Sequence, residues 1–188
     1  IVNRLSAEYG ITWFKEDGVK YQIEFFILKD TATLMIDTSG IALHKRGYRP
    51  AAGVAPLRET LAAAMVKLAR PRDEVLLWDP FCGSGTIGIE AALIMTNTAP
   101  GLGRSFAAEE FYDLPEKIWT NAREEAQSQK RESTFEVYSS DIDPHMVDLA
   151  RANIKRADMG AHIKCFVRNA TEIVKADRRA TIVCNPPY

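Results

Sequence analysis

From Val75 onward, short apolar runs alternate with longer stretches whose apolar residues recur every three or four positions. Val75–Asp79 (VLLWD), Phe135–Ser139, Ile163–Val167 and Thr181–Cys184 read as strands, buried because nearly every position is apolar, aromatic or β-branched. Between them, Ile87–Met95, Pro115–Gln129 and Pro144–Ala157 carry helical spacing, and Pro56–Ala69 precedes them as a helix opened by proline. Residues 100–111 (PGLGRSFAAEEF) interrupt the alternation as an irregular excursion. Strands alternating with helices predict an α/β fold, a doubly wound parallel sheet covered on both faces.

The first fifty residues follow another pattern. Tyr21–Leu28 (YQIEFFIL) and Thr33–Asp37 (TLMID) read as strands joined by the polar turn 29–32, with Ile41–His44 as a further short strand. A basic cluster, Lys45, Arg46, Tyr48 and Arg49, then runs into Pro50-Ala51-Ala52-Gly53, a linker-like composition. This places a domain boundary between residues 49 and 50. The cluster has three readings: contact with an RNA backbone, a solvated linker, or packing that closes one side of a ligand pocket.

Composition adds bounds more than direction. With 188 residues, 46% hydrophobic and 26% charged, the chain is ordinary soluble material for one or two domains. A net charge of −1 neither demands nor excludes a nucleic-acid partner. No apolar stretch approaches a membrane span, and neither a signal peptide nor a lipidation motif is visible. Cys82, Cys165 and Cys184 are odd in number and lack Cys-x-x-Cys spacing, which points to reduced thiols in a cytosolic protein. His44, His145 and His162 are scattered, so no metal centre is expected.

Chemistry concentrates in the loops after the predicted strands. Asp79-Pro80-Phe81-Cys82-Gly83-Ser84-Gly85-Thr86 joins a strand to a helix, where glycines permit positive φ and close ligand approach beside a helix N-terminus. It formally contains G-x-G-x-x-G, but the acid that a dinucleotide site needs ~20 residues later is missing, as is a phosphate-loop lysine after Gly85. Cys82 reads as a small packing residue of this loop. Asp141 ends the second strand of the sheet and is placed to accept both hydroxyls of a ribose, while Asp143 before Pro144 fits a helix cap. Asn169 after the third strand is either a reader of an adenine edge or a plain turn residue. Asn185-Pro186-Pro187-Tyr188 follows the fourth. As a turn it is unremarkable punctuation. As a site it offers an amide oxygen and a rigid backbone carbonyl to accept the two hydrogens of an exocyclic amine, with Tyr188 covering the base.

Together DPFCGSGT, DIDP, Asn169-Ala170 and NPPY resemble the amino-methylating branch of the S-adenosylmethionine-dependent, Rossmann-like class I methyltransferases. LHKRGYRP, APLRETLAAAM and APGLGRSFA further resemble the bacterial THUMP-domain methyltransferases that modify guanine N2 in RNA. The resemblance covers residues 41–188 and implies S-adenosyl-L-methionine as cofactor. By residue, it implies that Asp79, Pro80, Phe81, Cys82, Gly83, Gly85 and Thr86 hold its methionine part. Asp141 and Ile142 would take the ribose, Asn169 and Ala170 the adenine edge, and Asn185, Pro186 and Tyr188 the target amine. The family often has aspartate at position 169; asparagine still offers an acceptor oxygen. Residues 1–49 are then expected to be the end of an α+β THUMP-like RNA-binding domain with its linker, and 50–188 the methyltransferase domain through NPPY. Both ends resemble cuts in a longer protein, so the chain alone is not expected to turn over.

The activity implied is in-line methyl transfer to the N2 amine of a guanine in RNA, ribosomal RNA first and transfer RNA second. Alignment would supply most of the rate, ~7–11 kcal/mol, without a strong general base. An adenine-N6 DNA methyltransferase, a non-catalytic RNA-binding scaffold and a nicotinamide oxidoreductase are the competing readings; the misplaced acid and NPPY disfavour the last.

Overall fold

A computed structural model describes residues 1–49, 57–172 and 179–187. It divides into two compact units, residues 1–40 with 106–116, and residues 41–105 with 117–188. This boundary differs from the one expected at 49/50. Residues 41–49 belong with the sheet, because the side chains of Arg46, Tyr48 and Arg49 bond to Glu90, Thr86 and Glu59.

In the first unit, α1 (Val2–Tyr9) precedes a hairpin of β1 (Gln22–Leu28) and β2 (Thr31–Asp37). The turn is tighter than the predicted 29–32: Lys29 and Asp30 alone make it, at φ 47° and 59°, the left-handed pair that matches strand twist. No residue of α1 is buried. Its apolar side chains, Val2, Leu5 and Tyr9, give too short a pattern to have predicted a helix. Residues 107–110 form one 3₁₀ turn. In this unit the Tyr21 and Phe111 rings stack at 4.3 Å, and the Tyr21 hydroxyl accepts from the Tyr112 N–H at 3.1 Å.

The second unit holds the predicted sheet. Its elements are α2 (Glu59–Ala69), β3 (Leu76–Asp79), α3 (Thr86–Met95), α4 (Glu116–Ser128, its first residue in the other unit), β4 (Val137–Asp141), α5 (Pro144–Arg156), β5 (Ile163–Val167) and β6 (Ala180–Ile182). All four strands run parallel in the order β5-β4-β3-β6. The chain therefore steps from β3 to β4 to β5 and returns to the other side of β3. Between β3 and β6 lies a topological switch point, where loops diverge and leave a crevice. Pro56, the expected start of α2, lies outside the described residues. The short strand expected at Ile41–His44 is absent. Lys45 N–H instead closes a turn on the Ala42 carbonyl at 2.9 Å, and that carbonyl also accepts from Arg104 Nη1 at 3.0 Å. Those bonds occupy groups that a ladder would need.

The core is mainly aliphatic around Phe135, built on Leu77, Ile87, Ile89, Val137, Ile154 and Ile163. Helices α3 and α5 pack on the sheet face that carries Val137, Ser139 and Cys165. The opposite face carries Trp78, Tyr138 and Phe166 in edge-to-face contact, with the Arg168 guanidinium over Trp78 and Phe166. A Cβ on Gly88 would stand 2.5 Å from Ser139 Oγ and 3.3 Å from Val137 Cγ1, so this glycine is what lets α3 seat on the sheet. Gly88→Ala is therefore expected to destabilise by about 1–3 kcal/mol despite alanine's better helix propensity, as chemical denaturation would read.

Candidate functional site

The loops after β3, β4, β5 and β6 all leave the carboxyl edge of the sheet, and each predicted site residue among the described residues ends one of these strands or lies in the segment that follows it. At the end of β3, Asp79 is 1% exposed. Burial pushes its carboxyl up to about 7; the Phe81 N–H, donating to Oδ1 at 3.2 Å, opposes this, and the nearby Asp141 charge adds to it. Pro80 is buried and Phe81 exposed, so the loop turns its aromatic ring outward directly after the buried acid.

The glycine loop is held from several sides. Gly83 and Gly85 adopt φ 49° and 82°, and beside Gly83 there is open space where a Cβ would be. Gly83 N–H donates to Asp141 Oδ2 at 2.9 Å, Cys82 N–H to the Ser140 carbonyl at 2.8 Å, and Gly85 N–H to the Cys82 carbonyl at 2.7 Å. Ile89 N–H takes the Gly85 carbonyl as the first helical bond of α3. The N–H groups of Thr86, Ile87 and Gly88 thus begin the helix without helical acceptors, a positive end beside the loop. Cys82 is buried, and contact with the Cys165 thiol together with burial pushes its own thiol far above the usual range. It packs in the loop, as expected.

Asp141 does two jobs within the fold. Its Oδ2 fixes the glycine loop, and its Oδ1 accepts from Asp143 N–H at 3.1 Å. Each oxygen keeps a second lone pair, so a ribose hydroxyl still finds an acceptor there. Asp143 caps α5, accepting from His145 N–H at 2.8 Å with Pro144 at the first helical position. Ile142 between them is 66% exposed, open for contact. Asn169 differs from expectation: its Oδ1 already accepts both the N–H and the hydroxyl of Thr171, at 3.0 and 2.9 Å. Both lone pairs are used, so a ligand at Asn169 meets its amide nitrogen, a donor, and not the oxygen. Ala170 opens the 3₁₀ turn that follows.

Beyond β6 the ladder continues for one residue, with Val183 N–H donating to the Trp78 carbonyl at 3.0 Å. That bond sets the next residues beside the end of β3. The Cys184 thiol, raised mainly by burial, also feels the Asp79 charge. Asn185, Pro186 and Pro187 follow, all exposed. Tyr188 lies outside the described residues.

Several contributors were not singled out from sequence. Asn153, 1% exposed on α5, donates from Nδ2 to the Ser84 carbonyl at 3.0 Å and accepts from Arg156 on Oδ1. A polar residue on the buried stripe of Val147 and Ala150 was the available signal. The basic cluster is mostly not free surface. Arg46 pairs with Glu90 at 3.3 Å, and Tyr48 donates to Glu90 Oε1 at 3.0 Å. Burial, reinforced by Glu90 and Glu59, keeps the Tyr48 hydroxyl protonated. Burial also raises Glu90, although Arg46 opposes it. Arg46, Tyr48 and Arg49 thus pack against Glu90 and Thr86 of α3 and Glu59 of α2.

A buried carboxylate, a second acid 141 residues into the chain and an open glycine turn at a helix N-terminus suit a ligand bearing both an ammonium and a carboxylate. The model of the RMKL-like methyltransferase domain family, UPF0020, matches residues 46–188. The chain belongs to this family. It is 40% identical over 191 residues to "Putative RNA methyltransferase YpsC" of Bacillus subtilis (strain 168), covering the whole chain and 50% of that protein. It is also 41% identical over 167 residues to the "Ribosomal RNA large subunit methyltransferase K/L" of Psychromonas ingrahamii, covering 85% of the chain and 22% of the relative.

Two solved structures align along its full length and half of their own. SMU.472, described as "a putative methyltransferase complexed with SAH", has a TM-score of 0.89 at 35% identity. A structure described as "a predicted N6-adenine-specific DNA methylase" from Listeria monocytogenes has a TM-score of 0.90 at 41% identity. The fold is thus that of the Rossmann-like methyltransferases, and the cofactor of this RMKL-like domain is S-adenosyl-L-methionine. The chain spans about half the length of YpsC and of both solved relatives. Among the described residues, no group of three or more metal-ligating side chains converges, and no helix is long and apolar enough to cross a membrane.

Proposed function

We propose that the protein carrying this chain transfers a methyl group to the exocyclic N2 amine of a guanine in RNA, ribosomal RNA before transfer RNA. The observation that carries this reading is the position of Asn185-Pro186, two residues past the Val183 N–H bond to the Trp78 carbonyl and directly after Cys184, whose thiol feels the Asp79 charge. The names of the two relatives, an RNA methyltransferase and a ribosomal RNA methyltransferase, support RNA as the substrate. S-adenosylmethionine, when bound, supplies a sulfonium-activated methyl group.

The residues divide the remaining work. Asp79, buried beside the positive end of α3, receives the ammonium of the methionine part, and the open turn at Gly83 gives its backbone room. Pro80, Phe81, Cys82, Gly85 and Thr86 shape that loop. Asp141 accepts the ribose hydroxyls, Ile142 covers the ribose, and Asn169 and Ala170 border the adenine, with the Asn169 amide nitrogen facing a ring acceptor. Asn185 Oδ1 and the Pro186 carbonyl accept the two amine hydrogens, which localises the nitrogen lone pair and aims it; Tyr188 stacks on the base. The base must be single-stranded or flipped to reach them. Residues 1–40, as a THUMP-like segment, would bring the RNA.

A second reading, adenine-N6 methylation of DNA, is favoured by the description of the Listeria relative and uses the same amine chemistry. Incubating the intact protein with isotope-labelled S-adenosylmethionine and unmodified ribosomal RNA, transfer RNA and DNA, then digesting to nucleosides, separates the two. Label in N2-methylguanosine is the expected result. Label confined to N6-methyladenine in DNA would overturn it.

A further inference from the structure

Arg49 stands 37 residues before the helix whose first residue it touches, and its guanidinium joins three separate pieces of the sheet unit. Nη2 pairs with Glu59 of α2 at 2.7 Å, with the two side chains 11% and 3% exposed. Nη1 donates to the Leu57 carbonyl at 3.0 Å and to Thr86 Oγ1 at 3.1 Å. Thr86 is 3% exposed and opens α3 immediately after the glycine turn. Its hydroxyl lies 3.1 Å from Ser84 Oγ, inside the turn.

The first link of this chain has a fixed direction. A guanidinium only donates, so Thr86 Oγ1 must accept from Arg49. The Thr86 and Ser84 hydroxyls share one further hydrogen bond, in which either can donate. The far side of the same residue is fixed by Asn153, which donates to the Ser84 carbonyl. Ser84 is thus gripped at its side chain from α2 through Arg49 and Thr86, and at its backbone from α5.

We propose that Arg49 is a positioning residue for the cofactor loop, setting the Thr86 and Ser84 hydroxyls so that the 83–86 turn is held in its binding shape before S-adenosylmethionine arrives. This assignment rests on the reading of that turn as the methionine-binding part of the site. The planar fork matters as much as the charge. Lysine can keep the ion pair to Glu59 but cannot serve Leu57 and Thr86 from the same head group. Arginine here therefore contributes to cofactor affinity through a loop that it does not itself belong to.

The test uses the intact protein, with S-adenosylmethionine affinity read by calorimetry, KM and kcat read separately, and folding read by circular dichroism. Arg49→Lys is expected to weaken cofactor binding and raise its KM about 10-fold, with kcat at saturating cofactor kept within about 2-fold. Thr86→Val, which removes the hydroxyl at constant volume, is expected to give a similar loss, and Thr86→Ser to restore binding. The double variant Arg49→Lys/Thr86→Val should bind about as well as either single one, because both break one chain of bonds.

If the wild-type protein does not bind S-adenosylmethionine, the reading of the turn fails and this proposal with it. If the wild type binds and both single variants bind equally well, only the positioning role fails. Losses that multiply in the double variant, or a fall in kcat and folded fraction with unchanged KM, would also overturn it, since those mark a merely structural arginine. Should Arg49→Lys fail to fold, the Thr86→Val and Thr86→Ser pair still decides, because valine with full affinity would remove the hydroxyl link.

Discussion

Replacing Asn185 by alanine is expected to lower turnover by about 10²–10³-fold while leaving S-adenosylmethionine affinity unchanged. The amide oxygen is proposed to act on the target amine alone, and removing one preorganised polar partner at the reacting atom costs a factor of this size. The residue is exposed, in a segment beyond β6, so its loss leaves no buried cavity and folding should not change. Single-turnover kinetics with a guanine-containing RNA and calorimetry with the cofactor alone separate the two quantities. Equal losses in both would assign Asn185 to the cofactor pocket and remove it from the base grip. Asn185→Asp is informative beside it. A carboxylate can still accept from the amine, so a partial recovery above the alanine variant is expected.

Asp79 carries the second large effect, a pH dependence that runs in opposite directions for folding and for binding. Its carboxyl sits at about 7 in the fold against an ordinary value of 3.8, chiefly because it is buried. The folded protein therefore holds a proton that the unfolded chain has lost across that window. Asp79's contribution to stability is greatest at acid pH, falls as pH rises from about 4 to about 7, and is flat beyond, with a ceiling on the order of 4 kcal/mol. In the role proposed for Asp79 its carboxylate meets the cofactor ammonium, so affinity should rise about 10-fold per pH unit up to about 7 and then level. Asp79→Asn removes both dependences: the unliganded protein gains stability at pH 8 while cofactor binding is lost. Urea titrations and calorimetry between pH 5.5 and 8.5 check the two slopes. A cofactor affinity that does not change between pH 5.5 and 7 would refute the proposed partnership.

The two effects share a physical origin. A buried acid at the end of a parallel strand costs stability when ionised, and a cationic ligand group recovers that cost on binding. The apolar neighbours that define β3 are thus also what poises Asp79 near neutral pH.

What the sequence determined by itself was whatever depends on near neighbours. The four strands of the sheet, the helices between them and the glycine turn are local patterns of period, propensity and backbone freedom. Their observed bounds fall within a few residues of those expected, as in Leu76–Asp79 and Thr86–Met95. NPPY, DPFCGSGT and DIDP are contiguous strings, so the loops that gather at the carboxyl edge could be named before the sheet order was known. Only the tertiary structure decided the pairings. For Arg46 and Arg49 contact with RNA, a solvated linker and packing all stood open until Glu90 and Thr86, 44 and 37 residues away, were brought against them. The hold of Asn153 on Ser84 spans 69 residues. The partner of the Asn169 amide oxygen, Thr171, is near in sequence, but their bond depends on the turn conformation. A side chain's chemistry is written in its residue type; whether it faces water, a ligand or another charge is set by burial and partners, which a linear pattern does not contain.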